Sequence, residues 1–307
     1  QGRTLIHEHV FLDWSGAEKI NPATWRVNEA FQIILPYLEE MKVQGIKSFL
    51  ECTPAYLGRN PQLLKRLSQI TNLQILTNTG YYAAREYAHL PNEFYTMTAE
   101  ELARIWIAEF ESGIDSTEIR PGFIKIGVDS KDRLTEADMK LVRAAGITHL
   151  STGLTIVAHT GNDTTASQEL KILQDMGVAP EAFVWTHAQN GTSTGHIRLA
   201  QKGTWISLDG MGWIDPGTSE QDSSGVYNYV DLLTKLKTAN LLNRTLISHD
   251  AGWYTVGEPD QSEYKGYTGI FDWIIPALYR FGFTKADVEQ LLVHNPREAY
   301  TVRIRDL

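Results

Sequence analysis

The sequence of 307 residues has a single cysteine, Cys52, which excludes an internal disulfide and any thiolate metal cluster. A metal site in this chain must therefore be built from histidine and carboxylate. No apolar run reaches the roughly 18 residues of a membrane helix, and no charged-then-apolar leader opens the chain. Positive charge is in deficit: 28 Lys and Arg stand against 37 Asp and Glu, a net charge of −9. With no basic run to neutralise successive phosphates, nucleic acid is not an expected partner. Internal repeats, low-complexity tracts and Ser/Pro linkers are absent, and no G-x-G-x-x-G or G-x-x-x-x-G-K-[ST] follows a strand. What is present is 42% hydrophobic and 10% aromatic residues, enough to bury a sizeable core, so a soluble globular protein is expected. The chain starts abruptly, Gln1-Gly2-Arg3 leading into Thr4-Leu5-Ile6. A removed leader would produce such a start, so the expected location stays open between cytoplasm and periplasm.

Short β-rich runs alternate with longer segments of helical period along the whole chain, the pattern of βα units. Eight runs read as strands: Thr4–His9, Ile46–Cys52, Gln74–Asn78, Gly122–Val128, Thr155–His159, Ala182–His187, Thr204–Leu208 and Thr245–His249. Between them, apolar spacings of three and four predict helices over segments such as Asn28–Gln44, Ala99–Glu111, Glu136–Ala145, Ser167–Met176 and Tyr227–Asn240. Thr98-x-x-Glu101 is a capping-box start, Pro61 suits a first helical turn, and Gly45 and Gly177 stand where helices stop. Eight such units predict one α/β domain over 1–307, a (β/α)8 TIM barrel rather than an open doubly wound sheet. Asp209–Gly225 and Ala251–Gly269 read as long loops after strands seven and eight, where a barrel places its active site.

His7-Glu8-His9 ends the first strand, and the two-residue period of a strand puts both imidazoles on one face with Glu8 pointing away. Alone, an H-x-H is a weak signal. His159 closes strand five, His187 closes strand six and Asp250 follows strand eight, each at the end where barrel enzymes carry their chemistry. Lys125 lies in the apolar strand Gly122–Gly127. The plain alternative is a lysine reaching solvent from a strand end, but beside four histidines and an aspartate a buried ammonium is expected to neutralise. A neutral amine can add carbon dioxide, and the resulting carbamate is a carboxylate on a long arm. Of the other histidines, His249 faces the helices, and His89, His149, His196 and His294 lie in helical or loop contexts. Cys52 reads as a small buried residue, and Asp209 as a partner for one of the histidines.

On these stretches the chain resembles the phosphotriesterase-related branch of the amidohydrolase superfamily. The resemblance runs through Thr4–His9, Asn78–Tyr82, Gly122–Lys125, Val157–Thr160, Ile206–Asp209, Leu246–Asp250 and Asn295-Pro296, nearly the whole chain. It implies that His7, His9 and Asp250 hold a more buried divalent ion, that His159 and His187 hold a more exposed one, and that Lys125, as a CO2-derived carbamate, bridges both. It further implies that a metal-bridging hydroxide is the nucleophile, with Asp250 taking its proton. Zinc suits this donor set, though manganese, cobalt and iron would fit it as well. A homodimer is also what the resemblance implies.

The substrate expected is a small carboxylic ester, above all a lactone. Phosphotriester hydrolysis is the alternative, and a barrel that kept its ligands but serves only to bind is the alternative of another class. The loops depart from the resembled pattern. His187 is followed by Ala188-Gln189-Asn190 rather than acidic residues, Asp209 by Gly210-Met211-Gly212-Trp213 rather than an arginine. That argues against acyl-homoserine lactones, and the lack of a Lys/Arg pair near Trp213 or in Asp250–Tyr254 argues against a phosphate clamp. Tyr81, Tyr82, Trp213 and Trp253 are the aromatic candidates for substrate contact, Tyr81 foremost because its counterpart in lactonase relatives points at the metals.

Overall fold

The computed structural model describes residues 2–214 and 225–307. Eight strands lie in chain order around a (β/α)8 TIM barrel: β1 Arg3–Glu8, β2 Ile46–Glu51, β3 Gln74–Leu76 continued as Asn78–Thr79, β4 Phe123–Gly127, β5 Ile156–His159, β6 Phe183–Thr186, β7 Trp205–Leu208 and β8 Thr245–Ile247. All their pairings are parallel, in two ladders that part at Thr77, within β3. The strands are buried on both faces because helices cover the outside, which is why they read as near-continuous apolar runs. No continuous ladder joins β8 to β1. There the His7 N–H donates to Ser248 Oγ at 2.9 Å, the Asp250 N–H to the His7 carbonyl at 3.0 Å and the His9 N–H to the Ala251 carbonyl at 2.8 Å.

The expected strands recur within one or two residues at each end, with one irregularity. Leu5 pairs with Phe49 and Glu8 with Glu51, so Ile6 and His7 together face the single residue Leu50. This bulge breaks the period of two. It turns Ile6 into the barrel interior, where it packs with Leu50, Cys52, Phe123, Val157, Val184, Trp205 and Leu246 above Tyr300, and still leaves His7 facing inward above it. Cys52 is fully buried in that layer.

Among the described residues, seven helices longer than two turns lie between the strands, and five of them start at a side-chain cap. The seven are α1 Val27–Val43, α2 Pro61–Thr71, α3 Ala99–Ser112, α4 Glu136–Thr152, α5 Asp163–Asp175, α6 Ser193–Lys202 and α7 Val226–Thr238. Thr98 and Glu101 close a capping box on α3, Thr135 and Asp138 another on α4, and Asn60, Asn162 and Thr192 accept from the first turns of α2, α5 and α6. α4 runs past its expected end at Ala145. Gly146 lies inside it rather than stopping it, because a Cβ there would come within 3.0 to 3.2 Å of Met176 and Leu173 on the neighbouring layer. After β8 the expected loop contains a short strand, Tyr254–Thr255, paired with Phe11–Leu12. In the other long loop, Met211–Trp213 forms a 3-10 turn and residues 215–224 lie outside the described residues. No helix among those described is long and apolar enough to cross a membrane.

Candidate metal centre

The bulge in β1 and the sharp turn after β8 bring three candidate ligands together. Asp250 has φ 54°, a left-handed conformation uncommon for a residue with a side chain. Its Oδ1 lies 3.1 Å from His9 Nε2 and 3.6 Å from His7 Nε2. The turn is held by a buried carboxylate on the far side of β1. Glu8 Oε1 accepts from Ser248 Oγ at 2.8 Å, from the His249 N–H at 3.1 Å and from His249 Nδ1 at 2.9 Å, while Oε2 accepts from the Ala251 N–H at 3.1 Å. His249 Nε2 in turn accepts the Ile270 N–H at 3.0 Å, which assigns the ring proton to Nδ1. The Asp250 carbonyl receives two indole N–H groups, Trp213 at 2.7 Å and Trp253 at 3.0 Å.

Across the barrel, Lys125 on β4 is 1% exposed. Among the described residues its ammonium group finds one poor partner, the Ile126 carbonyl at 3.5 Å, and it lies 5.5 Å from the centroid of the Tyr82 ring. The backbone beside it is close enough to demand glycine: Gly80 has φ 125°, and a Cβ there would stand 2.0 Å from the Lys125 carbonyl oxygen. His159 at the end of β5 and His187 after β6 face each other with ring centroids 4.4 Å apart. His187 is a second left-handed residue, φ 57°. Its Nδ1 donates to Asp209 Oδ1 at 2.9 Å, which leaves Nε2 toward the centre. Asp209 Oδ2 lies 3.3 Å from His7 Nδ1, off the hydrogen-bonding direction. Among the described residues, His7 thus has no hydrogen-bond partner on either buried ring nitrogen. His9 Nδ1 lies 2.9 Å from Thr53 Oγ1, which donates to Glu51 at 2.5 Å.

Burial dominates the protonation of this cluster. It pushes His7 down to about 4 and His9 to about 3, and holds His159 well below its ordinary range, so these imidazoles are neutral and able to ligate. Burial also lowers the Lys125 ammonium toward the neutral amine and raises the Asp250 carboxyl. It opposes charge on His187 too, but the Asp209 carboxylate outweighs it and raises that imidazole; Asp209 is itself held well below the carboxylate range by His187 and His7 against its own burial.

The geometry brings His7, His9, Lys125, His159, His187 and Asp250 around one cavity of about 60 Å3, bordered also by Tyr82 and Trp253. Tyr81 is a correction: it does not point at the centre. Consecutive residues of extended chain face opposite ways, and Tyr81 goes to the helix side, edge-on to Tyr56 at 5.2 Å and Trp106 at 5.6 Å. Tyr82 takes the inner position, its hydroxyl 3.3 Å from His159 Nδ1. Trp213 and Trp253 pack on each other at 5.0 Å, Trp253 beside His9 and Trp213 at the rim, 45% exposed. Above His159, His187 and Asp250 opens a bowl of about 610 Å3 with Ser130, Thr160, Gln189, Asn190, Trp213, Asn228 and Tyr229 in its walls. The sequence does not single out these wall residues as a group, since amides and hydroxyls after strands are common; position after strand six was the available signal for Gln189 and Asn190.

Residues 1–300 match the phosphotriesterase family. The chain belongs to that family. Members of the phosphotriesterase family are metal-dependent hydrolases, generally with a binuclear metal site, and this chain is a hydrolase of that kind. A phosphotriesterase homology protein of Escherichia coli is 28% identical over 305 residues, covering 97% of this chain and 98% of its own. An aryldialkylphosphatase of Saccharolobus solfataricus is 25% identical over 315 residues, with 98% and 95% covered. Among solved structures, an organophosphate hydrolase engineered from a weak promiscuous lactonase template has a TM-score of 0.84 at 26% identity, over 98% of this chain and 95% of that one.

The residues present fit a divalent metal group. His7, His9 and Asp250 offer ligand atoms within 4.8 Å of one another, as do His7, His187 and Asp209. The unpartnered nitrogens of His7 are what a missing ligand bond leaves behind. Neutral imidazoles with a carboxylate make a donor set suited to zinc and its neighbours.

Proposed function

We propose that this chain opens small carboxylic esters, above all lactones, with two divalent ions, zinc by preference, held as the resemblance implies. His7, His9 and Asp250 hold one ion, His159 and His187 the other, and Lys125 joins them as a carbamate. The observation that carries this reading is Lys125. A fully buried amine with one poor partner is costly as an ammonium. As a neutral amine it forms a carbamate with carbon dioxide and releases one proton, giving a carboxylate amid four imidazoles.

When bound, the two ions supply Lewis acidity toward the acyl oxygen and lower the pKa of water to near neutrality. The chain's own residues do the rest. Asp209 fixes the His187 ring through Nδ1, and Thr53 fixes His9 through Nδ1, so each presents Nε2. Asp250, its carboxyl raised by burial, takes the proton released as water adds to the ester. Tyr82 and Trp253 close the sides of the inner cavity and exclude bulk water.

Phosphotriester hydrolysis is the second reading, supported by the aryldialkylphosphatase relative. The amides and hydroxyls in the walls of the bowl can hydrogen-bond the polar substituents of an ester, beside the exposed Trp213 ring. The test is acid release, followed with a pH indicator, from metal-loaded protein given aliphatic, acyl-homoserine and sugar lactones and one phosphotriester. Turnover of lactones that is lost in Lys125→Ala is expected. Turnover of the phosphotriester alone overturns the ester reading.

A further inference from the structure

Three tryptophans cross the mouth of the barrel on the His9 side, each from a different loop. Trp14 follows β1, Trp213 follows β7 and Trp253 follows β8. Trp253 stands in the middle. Its ring centroid is 5.5 Å from that of Trp14, 5.0 Å from that of Trp213 and 5.8 Å from the His9 imidazole, which it meets edge to face. A cation covers each end of the stack. The Arg85 guanidinium carbon lies 4.3 Å from the Trp14 ring centroid, and the Lys265 ammonium 4.6 Å from that of Trp213, both within the reach of a cation attracted to an indole face.

The backbone is strained where it delivers these groups. Arg85, Glu86 and Tyr87 are three successive left-handed residues, φ 62°, 57° and 64°, and none is glycine. Such a run persists only where its surroundings impose it. Here the end of β4 does so: the Gly127 carbonyl accepts the Ala83 and Ala84 N–H groups at 2.8 and 3.1 Å, and the Asp129 carboxylate accepts those of Arg85 and Glu86 at 2.9 and 3.3 Å. The Arg85 side chain is thereby laid over Trp14. After β8, Asp250, Gly252 and Trp253 are left-handed as well, φ 54°, 99° and 75°. Gly252 and Lys265 exchange two backbone hydrogen bonds, both 3.0 Å, which carries the lysine to Trp213. Trp14 is itself pinned through Asp13, which accepts the Ser15 N–H at 3.0 Å and the Trp25 indole N–H at 2.7 Å.

The stack ends on a candidate metal ligand. The Asp250 carbonyl takes the indole N–H groups of both Trp213 and Trp253, two bonds that help to hold this residue in its left-handed turn. Trp14 is half-buried beside Trp253. Without it, one side of Trp253 opens, the ring can swing away from His9, and its N–H can leave the Asp250 carbonyl. We propose that Trp14 is a positioning residue for His9 and Asp250, acting through Trp253, with Arg85 and Lys265 clamping the ends of the stack. The proposal rests on the metal centre of the reading above and is independent of which ester is opened.

The experiment measures zinc affinity by chelator competition for Trp14→Ala, Trp14→Phe and Arg85→Gln beside the native protein. The visible spectrum of the cobalt-loaded forms and lactone turnover are recorded in parallel. Trp14→Ala should bind the ion on His9 and Asp250 about tenfold more weakly, alter the cobalt bands, and lose kcat about tenfold with KM within about twofold of native. Trp14→Phe keeps a ring against Trp253 and should stay within about twofold of native in affinity. Arg85→Gln removes only an exposed cation and should weaken binding of the same ion about threefold. Native affinity and native cobalt bands in Trp14→Ala overturn the proposal, and a loss confined to KM makes Trp14 a wall for substrate instead. If Trp14→Ala does not fold, unchanged affinity in Arg85→Gln overturns it. A native protein that holds its ions but opens no lactone removes the ester reading, while the affinities and spectra still decide the role of Trp14. A native protein that retains no divalent ion removes both.

Discussion

Replacing Glu8 by glutamine keeps the volume of a fully buried side chain and removes one charge. In the native protein the carboxylate accepts four donors, three on Oε1 and one on Oε2, all from Ser248, His249 and Ala251. A glutamine can serve the three donors with its oxygen, but its NH2 then faces the Ala251 N–H, donor against donor. An unsatisfied buried donor costs about 1–3 kcal/mol, and the three remaining bonds lose the assistance of the charge. The expected sum is about 4 kcal/mol, a shift of the order of 1 M in the urea midpoint with little change in slope. Because Asp250 sits between His249 and Ala251, the turn that aims it loosens as well, and metal affinity should drop about 10- to 100-fold, by analogy with other groups that orient metal ligands. Urea unfolding of the metal-free protein and chelator competition on the loaded protein measure the two effects separately. A Glu8→Gln protein with an unchanged midpoint and unchanged metal retention would refute the role given to this carboxylate.

Further outcomes follow from the same structure. Glu169 is fully buried with Oε1 unpartnered, and burial raises its carboxyl to about 8. The folded state therefore binds one more proton than the unfolded state between roughly pH 4.5 and 8, and stability is lost as pH rises through that window, by about 1.4 kcal/mol per pH unit. Unfolding of Glu169→Gln beside the native protein should show the variant gaining relative stability from pH 6 to 8; a constant difference would contradict the assignment. Tyr82→Phe should lower kcat/KM by about tenfold, because its hydroxyl lies against His159, whereas Tyr81→Phe should change it by about twofold at most. Gly80→Ala should destabilise by about 3 kcal/mol or more and displace Lys125, since the new methyl collides with its carbonyl; a soluble variant with native melting and metal content would show that the strand can yield.

Much of the barrel was legible because parallel strands buried on both faces leave apolar runs, and helix starts leave Thr, Asn and Pro at fixed offsets. The bulge in β1 was not, because a two-residue period carries no sign of where it breaks; only the register against β2 shows Ile6 and His7 sharing one partner. α4 outran its expected end because Gly146 answers to packing against Met176, which sequence alone does not display. Tyr81 was expected foremost at the centre and Tyr82 takes that place, because residue type does not separate the two and the backbone turn at Gly80 decides which of them faces inward. The pairing of Asp209 with a histidine was legible from its place after strand seven. The bowl was not, since its walls come from the ends of separate βα units and share no spacing.

The central claim is that Lys125 joins two metal ions as a carbamate. Protein loaded with zinc in 13C-labelled bicarbonate should show one carbamate carbon resonance by NMR and two zinc ions per chain by mass spectrometry, with both the resonance and the second ion lost in Lys125→Ala. A native protein that binds two ions without that resonance, or a Lys125→Ala variant that keeps both ions and hydrolyses lactones at the native rate, would contradict it.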